Sequence, residues 1–132
     1  MDLGSRRHQS RERALELLYE AEMKSRSVLE IVRDLPMAPD DYTITLVQAA
    51  ESHRPRAEEL VSEFSRDWPL ERLAVIDRLI MVLAISELLS DNPPPTAVVL
   101  NEAVDLATTY STEGSGSFVN GVLSSCARHL ER

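Results

Sequence analysis

Apolar residues recur at helical spacing along nearly the whole of this chain, and no segment alternates with period two for long enough to make a strand. That regularity excludes sheet-based folds and leaves a set of helices, each with one stripe to bury. Ala14, Leu17, Leu18 and Ala21 stand at i, i+3, i+4 and i+7, which predicts a first helix from near Ser5 to Lys24. Ser27-Val28-Leu29-Glu30 is a capping-box pattern opening a short second helix that ends near Leu35. Pro36 and Pro39 impose a turn, and Asp40 and Asp41 are good caps for a third helix with Tyr42, Leu46, Ala49 and Ala50 inward. Pro55 lacks the N–H that a helix interior needs, so a break is expected there, with a fourth helix starting at Pro55 and burying Leu60, Val61 and Phe64. Trp68-Pro69 marks the next start, and Leu70 to Leu89 reads as the longest helix. The prolines of Asn92-Pro93-Pro94-Pro95 end it, and a sixth helix follows over about Thr96 to Tyr110. Residues 111–117 read as a serine- and glycine-rich loop before a last helix from about Phe118 to Leu130. The expected fold is all-α, a single compact domain of about seven helices.

The stretch Leu79–Ile85 is apolar on every side, as expected of a central rod or a subunit contact. Arg78 and Glu87 bracket it, so it is far too short to cross a bilayer. A chain of 132 residues makes one domain, read here as 1–132 with a basic segment 1–13 and a helical body 14–132. Such a domain hides roughly 68–70% of its unfolded surface, enough for a core without staples. Cys126 is the single cysteine, which excludes an intrachain disulfide and a thiolate metal cage. No apolar signal-peptide core follows the first arginines. These features predict a cytoplasmic protein with no membrane association.

Chemistry is sparse. His8, His53 and His129 are scattered and belong to no recognised metal-binding motif. There is no G-x-S-x-G, P-loop or G-x-G-x-x-G motif, and Cys126 lies among Val122, Leu123 and Ala127 as a small buried hydrophobe would. The chain reads as a non-enzyme with no metal and no cofactor.

Charge is more informative. The net charge is −8, which argues against a protein that coats nucleic acid non-specifically. Residues 1–13, however, carry Arg6, Arg7, Arg11 and Arg13 against only Asp2 and Glu12, while the rest of the chain carries a balance of −10. At about 100° per residue the four arginines span roughly 160°, an arc that overlaps the apolar stripe of the same helix. Unpaired charge cannot share a buried stripe, so the first turns are expected to overhang the bundle or fray from it, leaving the arginines either suited to phosphate or simply solvated at a frayed terminus. Asn101-Glu102 reads as a solvated first turn, Glu102 being favoured there by the helix dipole. Phe118 is either core or a stacking platform for a base, and Gly121 inside a helix points to close backbone packing.

Taken together, several segments resemble the NusB family. They are Arg11-Glu12-Arg13-Ala14-Leu15-Glu16-Leu17-Leu18-Tyr19, Trp68-Pro69-Leu70-Glu71-Arg72-Leu73, Ile76-Asp77-Arg78, Glu87-Leu88-Leu89, Asn101-Glu102-Ala103-Val104-Asp105-Leu106-Ala107 and Ser117-Phe118-Val119-Asn120-Gly121-Val122-Leu123. The Asn-Glu-Ala-Val and Phe-Val-Asn-Gly-Val-Leu blocks are the specific part. The resemblance implies two packed helical sub-bundles and a transcription antitermination factor without enzymatic activity. It implies binding of single-stranded boxA-type RNA on nascent transcripts, jointly with the ribosomal protein NusE, within the transcription elongation complex. It assigns RNA contact to Arg6, Arg7, Arg11, Arg13 and Phe118, and partner contact to Glu71 and Asp77.

The chain departs from the family pattern in places. The usual arginine and tyrosine of the central helix are Val82 and Ser86, and the acidic residue four places before Phe118 is Gly114. Val82 makes the central helix more apolar and so favours self-association. Gly114 removes a negative charge near the expected RNA face. The alternative function is an acidic all-α adaptor or structural homodimer without RNA contact; RNA binding at moderate salt separates the two.

Overall fold

Asp2, Ser27 and Asp40 each accept a hydrogen bond from a backbone N–H of the turn that follows, at 2.8, 3.2 and 3.1 Å. They open α1 (Leu3–Lys24), α2 (Val28–Arg33) and α3 (Asp41–Phe64), supplying partners that a helix start otherwise lacks. A 3₁₀ turn (Leu70–Arg72) precedes α4 (Val75–Leu89), α5 (Thr96–Tyr110) and α6 (Ser115–Leu130). This computed structural model describes residues 2–66 and 68–131, and none of these is in a strand. α1 stops where Ser25 takes left-handed backbone at φ 52° and the Arg26 N–H returns to the Ala21 carbonyl at 3.0 Å.

Three boundaries differ from the sequence expectation. Pro55 does not break its helix: α3 runs through it for 24 residues and is the longest element. Ala50, Ala57, Leu60 and Val61 are buried on both sides of the proline, while Pro55 and Glu51, whose carbonyl loses its partner, are exposed. One missing hydrogen bond on the wet face costs less than giving up that packing. Leu70–Leu89 is not one helix, because Leu73 and Ala74 are extended, at ψ 145° and 135°, between the 3₁₀ turn and α4. The break turns Leu73 into the core, and no Gly or Pro marks it locally. Finally, α6 starts at Ser115, so the loop is shorter than 111–117 and the described chain has six α-helices.

α4 is the central rod. Leu79 through Glu87 is buried without interruption, and α4 touches α1, α3, α5 and α6. α1, α2 and α3 pack together, α5 and α6 pack together, and α4 joins these sub-bundles through one continuous apolar cluster. Val82 is 0% exposed, so the extra apolarity it brings is consumed inside the protomer. Cys126 is buried as expected, and burial pushes its thiol up to about 11. A polar clamp ties the first half to the rod: Arg54 of α3 and Arg78 of α4 each donate to Glu22 of α1 at 2.8 Å.

The glycine expectation is corrected. A Cβ on exposed Gly121 would meet nothing within 4 Å, whereas at Gly116 it would lie 3.2 Å from Thr108 Oγ1 and 3.6 Å from Val104 Cγ1. The close approach of α6 to α5 is therefore made at Gly116.

Candidate nucleic-acid interface

The first turns of α1 do not overhang the bundle evenly. Arg6 and Arg13 are exposed, and Arg13 reaches only the exposed Glu16, at 3.2 Å. Arg7 is half-buried with its guanidinium carbon 4.5 Å from the centroid of the Tyr42 ring. Stacking uses the flat face of a guanidinium and leaves its N–H edge available. Neither Arg6 nor Arg7 forms an ion pair with a described residue.

Arg11 behaves differently, and this corrects the expectation that its charge is free for phosphate. It is 3% exposed, and its Nε and Nη2 donate to the two carboxylate oxygens of buried Glu87 at 3.0 and 2.6 Å. Nη1 donates to Glu102 at 3.3 Å, and the Tyr42 hydroxyl donates to Glu87 as well. Burial works against the Arg11 charge, but Glu87 more than offsets it and holds the guanidinium above its ordinary value. Burial, then the Glu87 contact, pushes the Tyr42 phenol up to about 12, so it remains a donor. Charge can share the buried stripe after all, because it is paired in bidentate geometry.

Glu102 is likewise more than a solvated first turn. It accepts from His8 Nδ1 at 2.6 Å, while His8 Nε2 lies 3.5 Å from Asp105 and 3.7 Å from Glu12. The hydrogen bond to Glu102, and then the charges of Glu102, Glu12 and Asp105, outweigh burial and raise the His8 pKa. His8, Glu102 and Asp105 place ligand-type atoms within 4.8 Å of one another, but His8 Nδ1 is already engaged with Glu102 and Asp105 is exposed to solvent. Tyr110 donates to Glu12 at 2.9 Å, a further tie between α5 and α1. Ser10 and Thr43 both donate to Asp40 at 2.6 Å, fixing α1 to the start of α3.

The remaining expected site residues gather at the other end of α4. Phe118, half-buried, and Trp68, 55% exposed, line an open groove of about 460 Å³ together with Arg72, Asp77 and Ser115. Glu71 is exposed beside it in the 3₁₀ turn. Asp77 is not the surface charge that the sequence suggested: it is 7% exposed and accepts from Ser115 Oγ at 3.0 Å. That bond explains why α6 begins at Ser115 and not at Phe118.

Sequence reasoning missed Tyr42, Glu87, Glu102 and His8 as the frame of the arginine segment. One signal was present, since Glu87 ends an apolar run and a buried carboxylate demands a cation. Nothing local says which of the arginines supplies it.

Comparison with known proteins bears on the family and the fold. The NusB family model matches residues 8–128. The transcription antitermination protein NusB of Acidothermus cellulolyticus is 41% identical over 121 residues, covering 89% of this chain and 83% of the relative. NusB of an Arthrobacter species is 38% identical, covering 90% of each. Among solved structures, NusB from T. maritima superposes with a TM-score of 0.82 at 27% identity, covering 92% of this chain and 90% of that one. A crystallised complex of antitermination factors NusB and NusE with double-stranded RNA shares the fold, with a TM-score of 0.79 at 24% identity over 97% of this chain and 99% of the other. From the six-helix arrangement, the arginine-bearing start of α1 and a match over nearly its whole length, the chain belongs to the NusB family.

Proposed function

We propose that this protein carries out the antitermination role of its family by binding single-stranded boxA-type RNA on nascent ribosomal transcripts together with the ribosomal protein NusE. Its relatives are transcription antitermination proteins, and antitermination factors NusB and NusE have been crystallised together with double-stranded RNA. One observation carries the reading: Arg6, Arg7 and Arg13 present guanidiniums at the surface of a chain whose net charge is −8. Arg7 is oriented by Tyr42, and Arg11 supports the segment from within instead of touching RNA. Phe118 offers a ring for a base. Glu71 and the acidic body favour a basic ribosomal protein, steering its approach.

Binding of boxA-type RNA across a salt series tests this. Every phosphate of a single strand that the protein neutralises adds about 0.7 to the salt slope, so the Arg6→Ala, Arg7→Ala, Arg13→Ala triple variant should show a slope shallower by up to about 2. Its urea stability should stay near wild type, since none of the three is fully buried. Phe118→Ala should lower affinity by about 1–3 kcal/mol and leave the slope unchanged. A triple variant that binds with wild-type affinity and slope overturns the assignment and leaves a protein-only adaptor.

A further inference from the structure

Where α1 and α5 face each other, each helix presents a pair of metal-ligand side chains. His8 and Glu12 stand one turn apart on α1, and Glu102 and Asp105 three residues apart on α5. Glu102 is fully engaged: its Oε1 accepts from Arg11 at 3.3 Å and its Oε2 from His8 Nδ1 at 2.6 Å. With Nδ1 donating, a neutral imidazole turns a lone pair outward at Nε2. That nitrogen faces Asp105 Oδ2 at 3.5 Å and Glu12 Oε2 at 3.7 Å. An acceptor nitrogen and two acceptor oxygens therefore converge with no donor between them. Among the described residues no cation other than His8 pairs with Glu12 or Asp105, and Glu12 has only the neutral Tyr110 hydroxyl besides, at 2.9 Å. A proton on Nε2 would supply one charge but would not close these gaps, because N–H···O bonds form at about 2.7–3.2 Å.

We propose that this is a divalent-metal site of the zinc class, with His8 Nε2, Glu12 and Asp105 as ligands and Glu102 as the carboxylate that orients the imidazole. Two atoms bound to one zinc at about 2.0–2.2 Å stand about 3.3–3.6 Å apart in tetrahedral geometry, close to the separations around Nε2. A metal-bound histidine commonly donates its second N–H to a carboxylate, a place Glu102 already fills. An imidazole beside two carboxylates suits Zn²⁺ over Mg²⁺, which prefers an all-oxygen shell and gives up water reluctantly. Asp105 is exposed and Glu12 half-buried, so both carboxylates have room to close on an ion while water takes a fourth position. Glu102 lies 94 positions from His8, so no local motif marks the site. A bound ion would pin the arginine-bearing start of α1 to α5 and neutralise carboxylates beside it. The assignment stands independently of the RNA and ribosomal-protein reading.

Isothermal titration of the metal-stripped protein with ZnCl₂ tests the site. Wild type should take up one Zn²⁺ per chain, with Mg²⁺ at least tenfold weaker. His8→Gln and Asp105→Asn should each weaken Zn²⁺ at least tenfold, whereas Glu59→Gln, at an exposed carboxylate of α3, should leave it unchanged. Glu102→Gln should weaken it about 10–100-fold, the usual effect of losing an outer partner of a metal ligand. Co²⁺ in place of Zn²⁺ should give the intense visible bands of a four-coordinate ion, and His8→Gln should abolish them. Zn²⁺ binding no tighter in wild type than in His8→Gln or Asp105→Asn would put the ion elsewhere and overturn the site. So would equal affinity for Mg²⁺ or an equal loss in Glu59→Gln, either of which marks a diffuse acidic surface. No Zn²⁺ uptake at all overturns it too, and leaves His8 as an imidazolium among carboxylates. Should His8→Gln not fold, Asp105→Asn, at an exposed position, carries the comparison alone.

Discussion

Replacing Arg11 by alanine should be the most damaging change in the basic segment, although it looks from sequence like one of four equivalent surface charges. Both Arg11 and Glu87 are 3% exposed, and they are joined by two hydrogen bonds of 3.0 and 2.6 Å. Truncation leaves the Glu87 carboxylate buried with only the Tyr42 hydroxyl against it, and also frees Glu102 from its guanidinium. Removing one member of a buried pair costs about 3–5 kcal/mol, a large share of the roughly 5–15 kcal/mol that holds an ordinary domain together. Arg6→Ala and Arg13→Ala, at exposed positions, should stay within about 0.5 kcal/mol of wild type. Urea unfolding followed by far-ultraviolet circular dichroism measures all three under one two-state treatment. The Arg11→Leu, Glu87→Leu double variant is the internal control, because replacing both charges with apolar groups is often neutral or better. An Arg11→Ala variant within about 1 kcal/mol of wild type would refute the buried-pair argument. So would a double variant no more stable than the single one.

Other outcomes follow from the same packing. Leu83, 2% exposed in the middle of α4, should cost about 2–5 kcal/mol on truncation to alanine, and a loss below about 1 kcal/mol by chemical denaturation would mean α4 is not the rod. Gly121→Ala should stabilise by about 0.5–1 kcal/mol, because the site is helical with open space around it, whereas Gly116→Ala should gain nothing against the 3.2 Å contact with Thr108; thermal melts of the pair separate these. His8 has its pKa raised by the Glu102 hydrogen bond, so the stability it contributes is full below about 6.5 and is lost as pH rises through the folded value. The stability gap between wild type and His8→Gln should therefore be widest near pH 6 and shrink toward alkaline pH, by less than about 1 kcal/mol because the imidazole is about one-third exposed. A gap that widens with pH would contradict the pairing.

Much of the architecture was legible because its signals are local. Caps at Ser27 and Asp40 and the prolines before Thr96 each act within a few residues, and the helices they open begin where the pattern put them; the apolar run Leu79–Ile85 is buried as its composition required. The misplaced boundaries share one cause. Intrinsic preference predicts a break at Pro55 and continuity from Leu70 to Leu89, and tertiary burial on either side outweighs both. Composition predicts a loop at Ser115, whereas at the start of α6 its hydroxyl bonds the Asp77 carboxylate 38 positions away.

Helical periodicity and net charge need no partner to be read, so the all-α class, the buried α4 and the excess of arginine at one end are written in the residues alone. Which arginines face solvent was decided only by the tertiary structure. Arg11 meets Glu87 across 76 positions of chain, and Asp77 meets Ser115 instead of the surface. A buried charge survives only where another element delivers its counter-charge, and that pairing exists nowhere but in the packed fold.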